Sequence, residues 1–194
     1  MRRSILASAV SFSGLRLRLR QAGFSLHELL VTSVIAGVVG TGAVSFVGLM
    51  QVTRMTTAVN SLMGNLALAR SAAITRHASV TVCKSRNGSS CTDEAAWHEG
   101  WLVFADANNN HDVDNGETIL HVQEELAGDM TLRYGETSGY HYVRYNPAGE
   151  AWPGATFTFC DRRGAPNAKA VIVYWTGRPR VSTKTSDGKP LHCS

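Results

Sequence analysis

An apolar run of 27 residues near the N-terminus, FSLHELLVTSVIAGVVGTGAVSFVGLM over 24–50, constrains this chain more than any other feature. Its length exceeds the roughly 20 residues a helix needs to cross a bilayer. Only His27 and Glu28 interrupt it with ionisable groups. A secretory signal peptide has a shorter apolar region followed by a small-residue cleavage site. Here a basic leader ends at Gly23 immediately before the run, so cleavage at that point leaves the hydrophobic segment on the mature chain. Arg16, Arg18 and Arg20 lie on its N-terminal side. The positive-inside rule then keeps the leader cytoplasmic and sends the C-terminal part outward, giving a single-pass inner-membrane protein with a periplasmic domain.

An acid within a membrane segment is costly unless it finds a partner, so Glu28 is expected to serve assembly. Its natural partner is the terminal amine that cleavage after Gly23 would create at Phe24 of a neighbouring chain. Beyond the run, Gln51–His77 is amphipathic, with Val52, Met55, Val59, Leu62, Met63, Leu66, Ala69, Ala73 and Ile74 mostly three or four apart. The expected organisation is a leader over 1–23, the membrane and assembly half of one helix over 24–50, its amphipathic half over 51–77, and a globular domain over 78–194. A helix from Phe24 to His77 would be about 80 Å long. Its outer stripe must be covered by the downstream chain.

After His77 the hydrophobic period shortens to two, and turn residues punctuate the chain. Strands are expected over Ser79–Lys84, Gly100–Ala105, Thr118–Gln123, Met130–Tyr134, Tyr140–Tyr145, Thr156–Cys160, Ala170–Trp175 and Arg180–Thr183. The fold class is therefore α+β: a long N-terminal helix packed on a mostly antiparallel β domain. Four cysteines, Cys83, Cys91, Cys160 and Cys193, all follow the anchor, where an oxidising compartment favours disulfides. Four cysteines allow three connectivities. The favoured one joins Cys83 to Cys91 around a short Gly/Ser loop and Cys160 to Cys193 across the C-terminal tail.

The formal net charge of +4 overstates the basic character. Without Arg2, Arg3, Arg16, Arg18 and Arg20, fourteen basic residues face fifteen acidic ones. Eleven acids fall between Asp93 and Glu136, against Arg133. Seven basic residues, Arg162, Arg163, Lys169, Arg178, Arg180, Lys184 and Lys189, fall between Cys160 and Ser194, against Asp161 and Asp187. A field so divided can steer an anionic partner to one end of a nearly neutral domain.

The stretch GFSLHELL resembles the class III prepilin signal of type IV pilins and type II secretion pseudopilins. By that resemblance prepilin peptidase cuts after Gly23 and methylates Phe24, Glu28 is the family's acid, and the partners are other pilin or pseudopilin subunits. His27 departs from the usual aliphatic residue. ALARSAAITRHASVTVCKS, WHEGWLVFADANNN, YNPAGE, TFTFCDRRG and VIVYWTGRPRVS resemble the FimT/GspH branch of minor pilins and pseudopilins. Within the last of these, Gly177-Arg178-Pro179-Arg180 resembles the GRxR motif through which FimT-type minor pilins of naturally competent bacteria contact DNA. Two guanidiniums on a tight turn, with Lys184 and Lys189 behind, suit sequence-independent contact with the DNA phosphate backbone. The resemblance implies a minor type IV pilin acting in DNA uptake, or alternatively a structural GspH-like pseudopilin of a type II secretion system that does not bind DNA.

One further pattern stands apart. Asp106, Asn108, Asn110, Asp112, Asp114 and Glu117 occupy positions 1, 3, 5, 7, 9 and 12 of a calcium-loop spacing. The glycine required at position six is replaced by His111 and no helix pair brackets the loop, so no metal is expected and the segment reads as an acidic Asx-turn hairpin. No nucleophile elbow, P-loop or HExxH pattern is present, and neither an enzyme nor a cofactor is expected.

Mass spectrometry of protein from its native host is expected to find a mature chain beginning at methylated Phe24. A species that still begins upstream of Gly23, or that lacks the apolar run, would overturn this reading.

Overall fold

The computed structural model describes residues 25–135 and 140–193, with the side chains of 38–46 and 155 left aside. Gly23, Phe24 and the leader lie outside the described residues. The chain falls into two compact units divided between Val44 and Ser45.

A single helix, α1, runs over Leu26–Arg76. Ser25 caps it: its hydroxyl accepts the N–H of Glu28 at 3.2 Å, satisfying one of the amide donors left open in a first turn. Glu28 thus stands where a negative charge complements the helix dipole. Within the first unit Leu26, Leu29, Leu30, Val34 and Ile35 are exposed. Thr32 and Ser33 fold their hydroxyls back onto the carbonyls of Glu28 and Leu29 at 2.9 and 2.6 Å, which satisfies these polar groups locally. Among the described residues no helix is long and apolar enough to cross a membrane. His27, Glu28, Thr32 and Ser33 dilute the start of the expected span, and residues 38–46 fall in its middle.

The second unit begins inside the helix. Met55, Val59, Leu62, Leu66, Ala69 and Ala73 are buried at alternating steps of four and three, joined by Ala58 and Ala72. The expected stripe differs at both ends: Val52 remains exposed before the buried part begins, and Ile74, one step round from the buried Ala73, is partly open beside Gly149. The helix stops at His77, whose φ of 51° gives the left-handed residue that commonly ends helices. Ala78 then donates its N–H back to Ala73 O at 3.3 Å.

Nine strands follow among the described residues: β1 (Val80–Lys84), β2 (Trp101–Ala105), β3 (Ile119–Gln123), β4 (Thr131–Tyr134), β5 (Tyr142–Tyr145), β6 (Ala151–Trp152), β7 (Ala155–Cys160), β8 (Lys169–Val173) and β9 (Pro179–Ser182). They form two sheets, ordered β3-β2-β1-β5-β6 and β4-β7-β8-β9, with every pairing antiparallel. The eight expected strands all occur with small shifts at their ends; β6, only two residues long, was not expected.

One core joins the helix to both sheets. The α1 stripe meets Val80, Val82, Trp101, Val103, Val143 and Tyr145 of the first sheet. It also meets Leu132, Tyr134, Phe157, Phe159, Val171 and Val173 of the second. Alternation along each strand sends the remaining side chains outward, where two smaller clusters close the far faces. Cys83, Leu102 and Phe104 pack under Cys91, Val113 and Tyr142. Cys160, Ala170 and Ile172 pack under Leu191 and Cys193 of the C-terminal tail. A disulfide pins each cover: Cys83–Cys91 with Cα atoms 5.6 Å apart, and Cys160–Cys193 at 5.8 Å.

Leu62 has no exposed surface and sits mid-stripe. Leu62→Ala is expected to cost about 2–5 kcal/mol, read from urea unfolding of the detergent-solubilised chain; a loss below about 1 kcal/mol would contradict the single-core reading.

Candidate nucleic-acid interface and acidic loop

Two loops carry the residues that sequence marks for function, and the sheets hold them apart in character. The acidic loop Asp106–Glu117 connects β2 and β3 of the first sheet, whereas the basic residues of the C-terminal stretch lie on the second sheet and the tail behind it.

The basic turn is built around Gly177. Its N–H donates to Tyr174 O at 2.8 Å, closing a turn over Tyr174–Gly177 between β8 and β9. Its φ is +68°, and a Cβ there would lie 2.0 Å from Gly149 O and 3.2 Å from the Tyr145 ring. No other residue fits without moving the backbone of the β5–β6 loop. That loop is fixed in turn: Asn146 Oδ1 accepts the N–H of Glu150 at 3.0 Å, Arg70 Nε of α1 donates to Gly149 O at 2.9 Å, and Ala151 N–H donates to Trp175 O at 3.1 Å.

The arginines follow this anchor one and three residues on, so the expected hairpin is present but its corner lies before the Gly177–Arg180 stretch rather than on it. Trp175 and Thr176 form the corner, Trp175 being 69% exposed, while Pro179 and Arg180 already belong to β9. The reason is register: Pro179 pairs with Val173 and Arg180 with Ile172, so pairing starts earlier than the hydrophobic pattern suggests. Arg178 and Arg180 are both exposed. Arg178 lines a groove of about 590 Å³ with Pro179 and the α1 residues Met63, Arg70, Ser71 and Ile74. Arg180 is paired with Ile172 of β8. Its guanidinium lies 5.4 Å from the centre of the Tyr174 ring and donates to the Tyr174 hydroxyl at 3.1 Å.

Lys184 is exposed and bridges to Pro190 through its backbone. Lys189 Nζ lies 2.9 Å from Asp187. Hydrogen bonds from Thr185 and Lys189 hold the Asp187 carboxyl down at about 2, so the pair is ionised at neutral pH and Lys189 contributes less free charge than its position suggests. Arg70, Tyr174 and Trp175 were not singled out from sequence. Arg70 sits at the edge of the helical stripe and carries no motif, and exposure of a lone aromatic at a turn has no sequence signature.

The acidic loop after β2 is an Asx-rich hairpin laid against the outer face of the first sheet. Asp106 is fully buried: Thr81 Oγ1 donates to its Oδ2 at 2.7 Å, and the His111 N–H reaches the same oxygen at 3.3 Å. Asn108 and Asn110 donate through their amides to Asp114 Oδ2 at 2.7 and 2.8 Å. Glu117 accepts the N–H groups of Ala107 and Asp114 at 2.9 and 3.1 Å. His111 stacks on Tyr142 at 3.7 Å, and burial holds its imidazole below the usual value. Asp112 is exposed and makes no side-chain bond to the other members. Among the described residues no group of three or more His, Cys, Asp or Glu is gathered as a metal site.

The sequence profile of the family described as "Type II transport protein GspH" matches residues 58–177, from the buried part of α1 through the glycine of the basic turn. The chain belongs to the GspH family. Two crystal structures of the type IV minor pilin FimU from Pseudomonas aeruginosa PAO1 have a similar fold. One has a TM-score of 0.53 at 15% identity, covering 70% of this chain and 95% of that one. The other has a TM-score of 0.51 at 15% identity, covering 69% and 98%. The minor pseudopilin EpsH of the Vibrio cholerae type II secretion system aligns at 12% identity and a TM-score of 0.49, covering 66% and 96%. No curated protein sequence matches the chain. What the FimU structures share with this chain is the fold, a helix packed on antiparallel sheets.

Gly177→Ala is expected to lower stability by at least about 2 kcal/mol in urea unfolding, since the new Cβ meets backbone as well as an unfavourable φ. Gly188→Ala, at φ +84° with nothing within 4 Å, should cost only about 1 kcal/mol. Equal losses would remove the Gly149 contact as the cause.

Proposed function

We propose that this GspH-family protein is a minor type IV pilin, held in the inner membrane by the start of α1 until it enters a filament, that binds DNA without sequence preference during natural transformation. Cleavage after Gly23 by prepilin peptidase, methylation of Phe24 and pairing of Glu28 with a neighbour's terminal amine belong to the same reading. The role is structural rather than catalytic.

The observation that carries it is the basic turn: a glycine clamped against a second loop, followed by two exposed arginines, Arg178 just before an edge strand and Arg180 on it. Planar guanidiniums suit bidentate contact with phosphate oxygens, and few phosphates are reached, so each subunit binds weakly and multiplicity in a filament supplies avidity. Arg180 is braced by Tyr174, which lowers the entropy lost on binding. Lys184 adds charge behind the turn, and Lys189 does so to the extent that Asp187 releases it.

A second reading is favoured by the family profile itself: a minor pseudopilin of type II secretion that works through subunit contacts and never meets DNA. Gel-shift titration of the detergent-solubilised chain with double-stranded DNA separates the two. Combined Arg178→Ala and Arg180→Ala is expected to weaken binding equally on unrelated sequences, and to reduce the salt slope by about 0.9 for each phosphate no longer engaged. Unchanged binding in the double variant would remove these arginines from the interface. No binding by the wild type at low salt would favour secretion.

A further inference from the structure

The strongest objection to metal at the acidic loop is the missing glycine at position six, and the structure answers it. His111 has a φ of 69°, the left-handed conformation for which that glycine is otherwise needed. The position is held by stacking on Tyr142 rather than by a small side chain. The absence of flanking helices is answered in the same way. Val113 packs onto the outer cluster of the first sheet with Cys83, Leu102 and Phe104, so a sheet face supplies the support.

A separate observation points into the loop. Asp106, at position one, is fully buried, and while its Oδ2 accepts two hydrogen bonds its Oδ1 has no hydrogen-bond partner. The His111 N–H on its Oδ2 ties this carboxylate to the loop backbone. A buried carboxylate oxygen left unmatched costs free energy that a cation would recover. The other oxygens are close by. Asn108 and Asn110 both reach Asp114 Oδ2, and each Oδ1 accepts one backbone N–H, from Asn110 at 3.1 Å and Asp112 at 3.0 Å. An amide oxygen with one acceptor site used keeps a second.

We propose that the loop Asp106–Glu117 is a calcium site. The ligands are side-chain oxygens of Asp106, Asn108, Asn110, Asp114 and Glu117, with the backbone carbonyl of residue 112 at position seven. Calcium displaces the two amide donors from Asp114 and turns Glu117 from its N–H partners toward the ion. Six or seven oxygens in a flexible loop suit calcium, whereas magnesium demands a tighter octahedron and retains its waters. Three carboxylates and two neutral amides place the affinity in the range of extracellular modules, Kd about 10⁻⁴–10⁻³ M. Bound calcium fixes the loop over Cys83, Leu102 and Phe104, at the opposite charge pole from the arginines.

Calorimetric titration of the full chain in detergent, stripped with chelator, tests this with calcium chloride and, separately, magnesium chloride. One calcium per chain with Kd below about 1 mM and a melting temperature raised by roughly 3–6 °C at about 10 mM is expected. Asp114→Ala and Asn110→Ala, both at exposed positions, should each weaken binding about tenfold or more while the apo melting temperature stays near that of the wild type. Asp112→Ala, whose side chain is not a ligand, should bind calcium like the wild type. No heat up to about 10 mM calcium overturns the proposal. So does an equal response to magnesium, or calcium binding by Asp114→Ala as tight as the wild type, since either would mean that an acidic surface attracts divalent ions without a site.

Discussion

The burial of one helical stripe against two sheets is the interaction on which the domain depends. Neither sheet has a self-contained core: Val80, Val103 and Tyr145 from one and Phe157, Val171 and Val173 from the other meet on the same helix face through Leu62 and Leu66. The helix is therefore the shared wall of both, and its buried half cannot be removed without exposing each. Apolar transfer from water at about 25 cal/mol per Å² makes this the dominant stabilising term, while hydrogen bonds and ion pairs select among arrangements that already bury the stripe.

That architecture leaves the far face of each sheet to be covered by irregular chain. On the first sheet the cover is the Cys83–Cys91 loop with the acidic hairpin; on the second it is the C-terminal tail held by Cys160–Cys193. Because the covers are loops, they are where polar chemistry collects. Asp106 is buried under one, and Lys184 and Lys189 sit on the other. Part of the separation of charge visible along the sequence thus becomes a separation between sheets, while at the end of the β4–β7 pair of the second sheet Arg162 meets Asp129 at 2.6 Å.

Much of this was legible in the sequence because the signals are local. The alternation of four and three from Met55 to Ala73 fixes the helix phase, and period-two alternation fixes eight strands. What was not legible depends on distant partners. Val52 and Ile74 continue the helical pattern yet stay exposed, since burial is decided by which residues the distant strands and loops cover. β6 is two residues long and exists only through pairing with β5. At the candidate site, the glycine and arginines were readable as a motif. The displacement of the corner to Trp175 follows from a strand register that no local pattern encodes. His111 is the reverse case: a residue that argued against a loop geometry turns out to adopt it.

The meeting of Gly177 with Gly149 ties two loops from different sheets at a point where neither offers a side chain. Such a junction can drift only in concert. A lineage that gained a side chain at one position would have to reshape the YNPAGE turn opposite it. The shape of the arginine hairpin is therefore inherited through a segment that bears no charge complementary to any ligand, and the two stretches should vary together as one heritable unit.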